Sequence, residues 1–341
     1  MSGAPLRVGV MGAGAVGAYV GGWLATAPEV EVLLVGRQRL ADAVAAEGLV
    51  VSQGAREERV RQVQVATAAA ALAESDVVLC CVKSRDTEAV AKELTEILRP
   101  EALVVSLQNG VRNPATLRAA LGAERVLAGV VGFNAVLRSA HEARQTTDGD
   151  LELEQREHES ARRLYAALRA GGLSLTTHRD LAPRQWSKLL INLSNAVSAL
   201  SGAPTKELLV QAGYRRILAA VLREGIGVAR AAGQPLARLR GLPVGAVPML
   251  LRAPSWIVRL ALGLKVDPKA RSSMAQDLER GRPTEVAYLN GEIVRLAAEH
   301  GATAPLNQRL VELIRAAEAA GGSPSLGPEA FWTALHERED P

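Results

Sequence analysis

The stretch Val8-Gly9-Val10-Met11-Gly12-Ala13-Gly14-Ala15-Val16-Gly17 places a G-x-G-x-x-G at the mouth of a short apolar run. Leu6 to Met11 is short, apolar and glycine-interrupted, and it reads as a buried strand. Ala18 to Ala25 continues as a helix-like apolar stretch in which Gly21 and Gly22 give room for close packing. In a strand, turn and helix of this kind the first glycine makes the tight turn. The second lets backbone approach a pyrophosphate, and the third lets helix and strand pack closely. The helix N-terminus adds unpaired N–H groups and the positive end of its dipole. A dinucleotide site on Gly12, Ala13, Gly14, Ala15, Val16 and Gly17 is therefore expected.

A chain that binds NAD this way carries a carboxylate about 20 residues further on, at the tip of the second strand, to hold the ribose 2′-hydroxyl. The run Val30 to Val35 is that strand, and it ends in Gly36-Arg37-Gln38-Arg39 with no carboxylate at its tip. Glu31 stands at the opposite end. A guanidinium suits a 2′-phosphate, which it meets through two parallel hydrogen bonds. The missing acid and the present Arg37 together favour NADP(H), against the blander reading of Arg37 as a solvated loop cation.

The first half goes on alternating strand and helix signals, as a doubly wound parallel sheet does. Asp76 to Val82 reads as a strand ending at Lys83, with a helix over 86–98; Ala102 to Leu107 reads as the next, ending in Gln108-Asn109-Gly110. A helix over 114–121 and a strand over 126–136 follow, and the polar run 141–157 reads as a strand pair or loop at a sheet edge. From about Asp180 strand signals vanish, and long Ala/Leu helices are expected over 183–200, 214–232, 270–280, 283–299 and 305–320. The expected fold is an α/β Rossmann-type doubly wound parallel sheet followed by an all-α C-terminal domain. Its boundaries are 1–180 for the NADP-binding domain, 181–325 for a helical substrate or dimerisation domain, and 326–341 for a loosely attached tail. Lys83 and Asn109 stand at strand ends where such folds bind ligand, although lysines often end strands and Asn-Gly is a common turn.

Bulk properties narrow the class. With 48% hydrophobic and 22% charged residues, the 341-residue chain has the composition of a soluble globular protein. A formal charge of +4 mildly favours anionic ligands, but arginines are scattered among glutamates without aromatic interleaving, so no nucleic-acid partner is expected. The five histidines lack metal-ligand spacing, and no metal site is expected. Adjacent Cys80 and Cys81 read as buried packing residues, which suits a reducing, cytoplasmic setting. The apolar stretch 242–264 is broken by three prolines and two arginines, so it reads as a lid or interface segment rather than a membrane span.

In the helical half, Lys188 and Asn192 are four residues apart on one face of an otherwise apolar helix. Such a lysine either snorkels to the surface or faces a cleft, where it can donate a proton. Glu285 falls in the first turn of the helix expected from Pro283, a place the helix dipole alone would favour. Ser272 and Ser273 open or cap the preceding helix.

Taken together these blocks resemble the ketopantoate reductases (2-dehydropantoate 2-reductases) over nearly the whole chain. The resemblance rests on residues 12–17, Val35-Gly36-Arg37, Val82-Lys83 and Leu107-Gln108-Asn109-Gly110-Val111. In the second half it rests on Trp186-Ser187-Lys188-Leu189-Leu190-Ile191-Asn192, on Ser272-Ser273-Met274-Ala275-Gln276-Asp277-Leu278 and on Thr284-Glu285-Val286-Ala287-Tyr288-Leu289-Asn290-Gly291. It implies NADPH-dependent reduction of a 2-oxo acid to a 2-hydroxy acid on the pantothenate and coenzyme A route. Lys188 matches the proton-donating lysine, and Glu285 the acid that orients substrate and lysine. Asn109 matches a contact to cofactor and substrate, while Asn192 and Ser273 match substrate-binding positions. Arg37 and Lys83 match the surroundings of the 2′-phosphate, and Ala135 a strand-end cofactor contact. Ala270 stands where a polar substrate contact is common in the family, and Asn195 lies one position short of a second expected asparagine. A same-fold NADP-dependent reductase of another 2-oxo acid or imine, and a non-catalytic NADP sensor, remain open at this point, as does a homodimer.

Overall fold

The computed structural model describes residues 4–239, 241–261 and 271–337. The chain divides into two compact units, with the boundary between Leu181 and Ala182.

The first unit runs β1 (Leu6–Met11), α1 (Ala15–Leu24), β2 (Val30–Val35), α2 (Gln38–Glu47), β3 (Leu49–Gln53), β4 (Arg56–Val60), β5 (Gln64–Ala66) and β6 (Val77–Cys80). It continues with α3 (Thr87–Ile97), β7 (Leu103–Ser106), α4 (Asn113–Leu121), β8 (Val126–Val131), β9 (Ala135–Leu137), β10 (Glu142–Gln145), β11 (Leu151–Glu154), α5 (Glu159–Ala170) and β12 (Leu175–His178). Eight strands form one sheet in the order β12-β11-β8-β7-β6-β1-β2-β5. Every neighbouring pair in it is parallel except β11 with β8.

Both faces of this sheet are covered, which is why its strands read as continuous apolar runs. Side chains alternate faces along each strand. Val77 and Leu79 join the core beneath α1 and α5, while Val78 and Cys80 join the core beneath α3 and α4. Leu103 and Val105 against Val104 divide the same way.

A second sheet, β4-β3-β10-β9, packs on the far side of α1. Two adjacent glycines let the helix fit between the layers. A Cβ at Gly21 would lie 2.6 Å from Leu34, and one at Gly22 would lie 2.4 Å from Val51. The strand expected over 126–136 is therefore two strands in two sheets. β8 stops at Val131 because the chain next runs against Asp150, whose carbonyl oxygen is 2.6 Å from where a Cβ on Gly132 would be.

The second unit is helical: α6 (Ala182–Asn192), α7 (Ser194–Ser201), α8 (Thr205–Val210), α9 (Ala212–Ala231), then β13 (Arg238–Leu239) paired with β14 (Leu242–Pro243). α10 (Val247–Arg252), α11 (Ser255–Ala261), α12 (Ser273–Glu279), α13 (Asn290–Glu299), α14 (Pro305–Ala319) and α15 (Pro328–His336) complete it. Among the described residues no helix is long and apolar enough to cross a membrane.

Three expectations are corrected here. The helix expected over 183–200 breaks at Leu193, whose carbonyl accepts from the Asn290 amide (3.4 Å), while the Ser194 hydroxyl takes the carbonyl of Ile191 (2.7 Å). The helix expected from Pro283 starts only at Asn290; Glu285 precedes a short 3₁₀ turn over Val286–Tyr288. The tail from 326 is not loosely attached up to His336, because α15 buries Phe331 and Leu335. The Tyr214 hydroxyl donates to the Leu326 carbonyl (2.9 Å), and the Arg216 guanidinium stacks on Trp332. The described part of 242–264 folds into α10 and α11, held by buried Arg215. Its guanidinium donates to the carbonyls of Val210 (2.7 Å) and Leu251 (3.0 Å), near the negative ends of α8 and α10. Ala270 lies outside the described residues.

Candidate active site

β1 is the point where the sheet order reverses, since the chain leaves it for β2 on one side and later for β6 on the other. Ligands of open α/β sheets bind at such a point, outside the carboxyl ends of the strands. The loop after β1 is built there. Gly12 has φ +97°, a conformation few side chains adopt, and a Cβ on it would lie 2.9 Å from the Val82 nitrogen. At Gly17 a Cβ would lie 2.4 Å from the Gly12 carbonyl oxygen, so α1 reaches the end of β1 only because that position is bare.

Gly14 is bare for another reason. Nothing lies within 4 Å of its Cβ position, and its φ of −79° is one that any residue adopts. The first bond of the helix ladder runs from the Ala18 N–H to the Gly14 carbonyl (2.8 Å). The N–H groups of Ala15, Val16 and Gly17 precede that ladder and lie at the positive end of the dipole. A pyrophosphate fits this cradle, where it would meet N–H groups instead of a methyl group.

The tip of β2 lies against the same loop: a Cβ on Gly36 would sit 3.2 Å from the Ala13 Cβ. Arg37 follows, exposed, at the start of α2. Its guanidinium pairs with no carboxylate among the described residues. Lys83 is half-buried after β6 and leads into a 3₁₀ turn over Ser84–Asp86; Asn109 is half-buried after β7.

The loops bearing Lys83 and Asn109 are tied together by side chains that the sequence reading did not single out. Ser106 donates to Gln108 (3.1 Å). The Gln108 amide donates to the Val82 carbonyl (3.1 Å) and the Thr87 hydroxyl (2.7 Å). Thr87 donates to the Asn113 carbonyl oxygen (2.9 Å), and the Asn113 amide donates to Ser84 (3.1 Å) and to the Asn109 backbone carbonyl. Ser84 donates to that same carbonyl (3.0 Å). The available signal was a set of amides and hydroxyls beside buried strand ends, since buried polar groups must find partners. Ala135 is half-buried and is the first residue of β9, paired with Gln145, not the end of β8.

In the second unit Lys188 is half-buried on α6, flanked by buried Ser187 and Leu189. Ser187 fixes the helix through its hydroxyl, which accepts from the Ala237 N–H (2.8 Å) and donates to the Ala237 carbonyl (3.1 Å). Asn192 ends α6 and is half-buried. Ser272, not Ser273, caps α12, accepting from the Ala275 N–H (3.1 Å) and donating to the Asn195 carbonyl (3.2 Å). This leaves Ser273 exposed in the first turn of α12. Glu285 is buried, at 7% exposure. Five residues after it, buried Asn290 bridges the Leu193 carbonyl at the end of α6 and the Asn307 side chain (3.0 Å). Asn307 in turn bonds Glu224 (2.8 Å). The segment bearing Glu285 is thus strapped to the end of the helix bearing Lys188. Among the described residues no three His, Cys, Asp or Glu side chains cluster to hold a metal ion.

A bare glycine loop at the switch point of a doubly wound sheet, with an arginine in place of an acid beyond β2, defines a dinucleotide-binding protein whose site suits a 2′-phosphate. Comparison with known proteins gives the family. The model "Ketopantoate reductase PanE/ApbA" matches residues 8–158, and its C-terminal counterpart matches residues 180–318. The 2-dehydropantoate 2-reductase of Halobacterium salinarum is 31% identical over 93% of this chain and 100% of its own length. That of Archaeoglobus fulgidus is 30% identical over 92% and 98%. The crystal structure of a PanE/ApbA family ketopantoate reductase from Ralstonia eutropha is 35% identical, with a TM-score of 0.80 covering 93% of this chain and 99% of that one. A D-mandelate dehydrogenase, solved with NADH and anilino(oxo)acetate, shares the fold at 20% identity and a TM-score of 0.78, covering 93% and 99%. The chain belongs to the ketopantoate reductase family, whose members are oxidoreductases acting on a CH–OH group with NADPH as cofactor.

Proposed function

We propose that this chain reduces 2-dehydropantoate (ketopantoate) to pantoate at the expense of NADPH, and so serves pantothenate and coenzyme A biosynthesis. Gly12 to Gly17 hold the pyrophosphate through backbone N–H groups, Arg37 and Lys83 neutralise the 2′-phosphate, and Asn109 and Ala135 border the rest of the cofactor. When bound, NADPH supplies the hydride. Asn192 and Ser273 hold the 2-oxo acid. Hydride arrival builds negative charge on the carbonyl oxygen, and the Lys188 ammonium both stabilises that charge and gives up its proton to it. Glu285 orients the lysine and the substrate.

The observation that carries this reading is the strap from Glu285's segment through Asn290 to Leu193. It ties the residue five positions after the buried Glu285 to the residue five positions after the half-buried Lys188, in a chain whose family is known. The test is a panel of 2-oxo acids and imines with NADPH and NADH side by side, followed by absorbance. Ketopantoate with NADPH is expected to give the highest kcat/KM. Turnover of a different acid with none of ketopantoate would overturn the substrate assignment. Lys188→Ala is expected to lower kcat by about 10²-fold or more while NADPH still binds; an unchanged rate would remove Lys188 from the mechanism.

A further inference from the structure

The hydrogen bonds behind Lys83 and Asn109 have a direction. Ser106 gives its proton to Gln108, Gln108 to Thr87, Thr87 to Asn113, and Asn113 to Ser84. Both N–H donors of Gln108 are used, on Val82 and Thr87, and so are both donors of Asn113, on Ser84 and Asn109. The chain ends on two backbone carbonyls, those of Val82 and Asn109. One precedes Lys83, and the other belongs to Asn109 itself. Every side chain in it is buried, with Asn113 at 4% exposure and Thr87 at 2%. Val82 also lies directly under Gly12, where the glycine loop begins. The loops that follow β6 and β7 are therefore pinned by one polar network, and the loop after β1 is stacked on Val82 at its edge. A buried network with all its donors satisfied is rigid, and it specifies one arrangement.

We infer that Asn113 is a positioning residue for cofactor binding: its amide fixes the backbone of Asn109 relative to that of Lys83 and the glycine loop, without itself touching the cofactor. The inference rests on the assignment of Lys83 and Asn109 to NADPH. Thr87 shares the task by orienting the Asn113 amide, since its hydroxyl meets the Asn113 oxygen and leaves both N–H donors for Ser84 and Asn109.

The test compares Asn113→Asp, Thr87→Val and Thr87→Ser with Val90→Ala. The last removes buried bulk from α3 outside the network. NADPH affinity is read by fluorescence titration, KM and kcat by initial rates, and folding by thermal melting. Asn113→Asp keeps the shape but turns two donors into acceptors, and is expected to raise the Kd and KM for NADPH about tenfold or more. Thr87→Val is expected to raise them several-fold, and Thr87→Ser to restore them. Val90→Ala is expected to lower Tm with Kd unchanged. If Thr87→Val and Asn113→Asp lower Tm while leaving Kd and KM for NADPH at the wild-type values, the network is structural only and the inference is overturned. Tight NADPH binding by a wild-type chain that does not reduce ketopantoate would overturn the substrate reading alone. A wild-type chain that does not bind NADPH would overturn both.

Discussion

Gly14→Ala and Gly17→Ala add the same methyl group three positions apart and should have opposite consequences. At Gly17 the new Cβ would lie 2.4 Å from the Gly12 carbonyl oxygen. Ordinary C···O contacts are about 3.3 Å or longer, so α1 would have to retreat by roughly 0.9 Å. It has little room to do so. Its Gly21 and Gly22 faces are already packed at 2.6 and 2.4 Å, measured from ideal Cβ positions to Leu34 and Val51. Overpacking of this kind costs about 1–3 kcal/mol. At about 2–4 °C per kcal/mol for a unit of this size, Tm should fall by roughly 2–12 °C. At Gly14 the methyl meets nothing within 4 Å, and the backbone already has φ −79°. Alanine there restricts the unfolded chain, worth about 0.4–1 kcal/mol, and this nearly offsets the roughly 0.5–1.5 kcal/mol lost when a glycine N-cap becomes alanine. Tm should stay within about 2 °C of wild type.

Binding should reverse the order of harm. A methyl group in the cradle displaces the pyrophosphate from N–H donors whose charge-assisted bonds are worth about 1.5–3 kcal/mol each. One such bond lost weakens NADPH binding about 10- to 100-fold. Melting curves without ligand and a fluorescence titration with NADPH measure the two effects on the same samples. A Gly14→Ala protein that binds NADPH as wild type does would refute the cradle. An undiminished Tm for Gly17→Ala would refute the packing argument.

Arg37→Ala should raise the KM for NADPH about 10- to 100-fold and leave that for NADH unchanged, because only the phosphate bonds are lost; equal effects on both cofactors would show that Arg37 does not read the 2′-phosphate. Phe331→Ala should destabilise the second unit by about 3–5 kcal/mol in urea unfolding, since a fully buried ring leaves a cavity; a change under about 0.5 kcal/mol, the size of an ordinary surface substitution, would mean that α15 is not docked. Asp76 gives a pH signature. Partial burial pushes its pKa up, but the Arg7 N–H (2.9 Å), the Arg99 guanidinium (2.8 Å) and the Arg7 charge outweigh this and hold it below the usual carboxylate value. A depressed folded pKa means that the stabilisation is present above the unfolded value of about 3.9 and is lost as pH falls through the folded one. Asp76→Asn should therefore be less stable than wild type by about 1–2 kcal/mol at pH 7, with the gap closing below about pH 4. A gap that persists unchanged at pH 3 would mean that the loss is not electrostatic.

The parts of the fold that were legible in the sequence are those whose cause is local. β1, β2, β6 and β7 are buried on both faces, and continuous apolar runs announce them. The second sheet escaped because its pairing is distant and its surface polar. β3 pairs with β10, some 90 residues on, and β4 is Arg56-Glu57-Glu58-Arg59-Val60, mostly exposed. Helix breaks were missed for a related reason: nothing near Leu193 says that an asparagine at 290 will take its carbonyl.

The candidate site divides in the same way. Arg37, Lys83 and Asn109 could be named because strand ends point to the ligand in any doubly wound sheet. Asn113 could not, because local rules assign it another job. An asparagine followed by proline at the start of a helix reads as a cap or turn former, yet α4 has no side-chain cap. The Asn113 amide is committed to Ser84 and Asn109, and its oxygen to Thr87. Asn113 is the first residue of α4, one past the N-cap Arg112, and both of its N–H donors go to the loops before the helix. A side chain whose oxygen and both N–H donors are all committed outside its own helix is what a positioning role predicts, and this separates Asn113 from an asparagine that merely starts a helix.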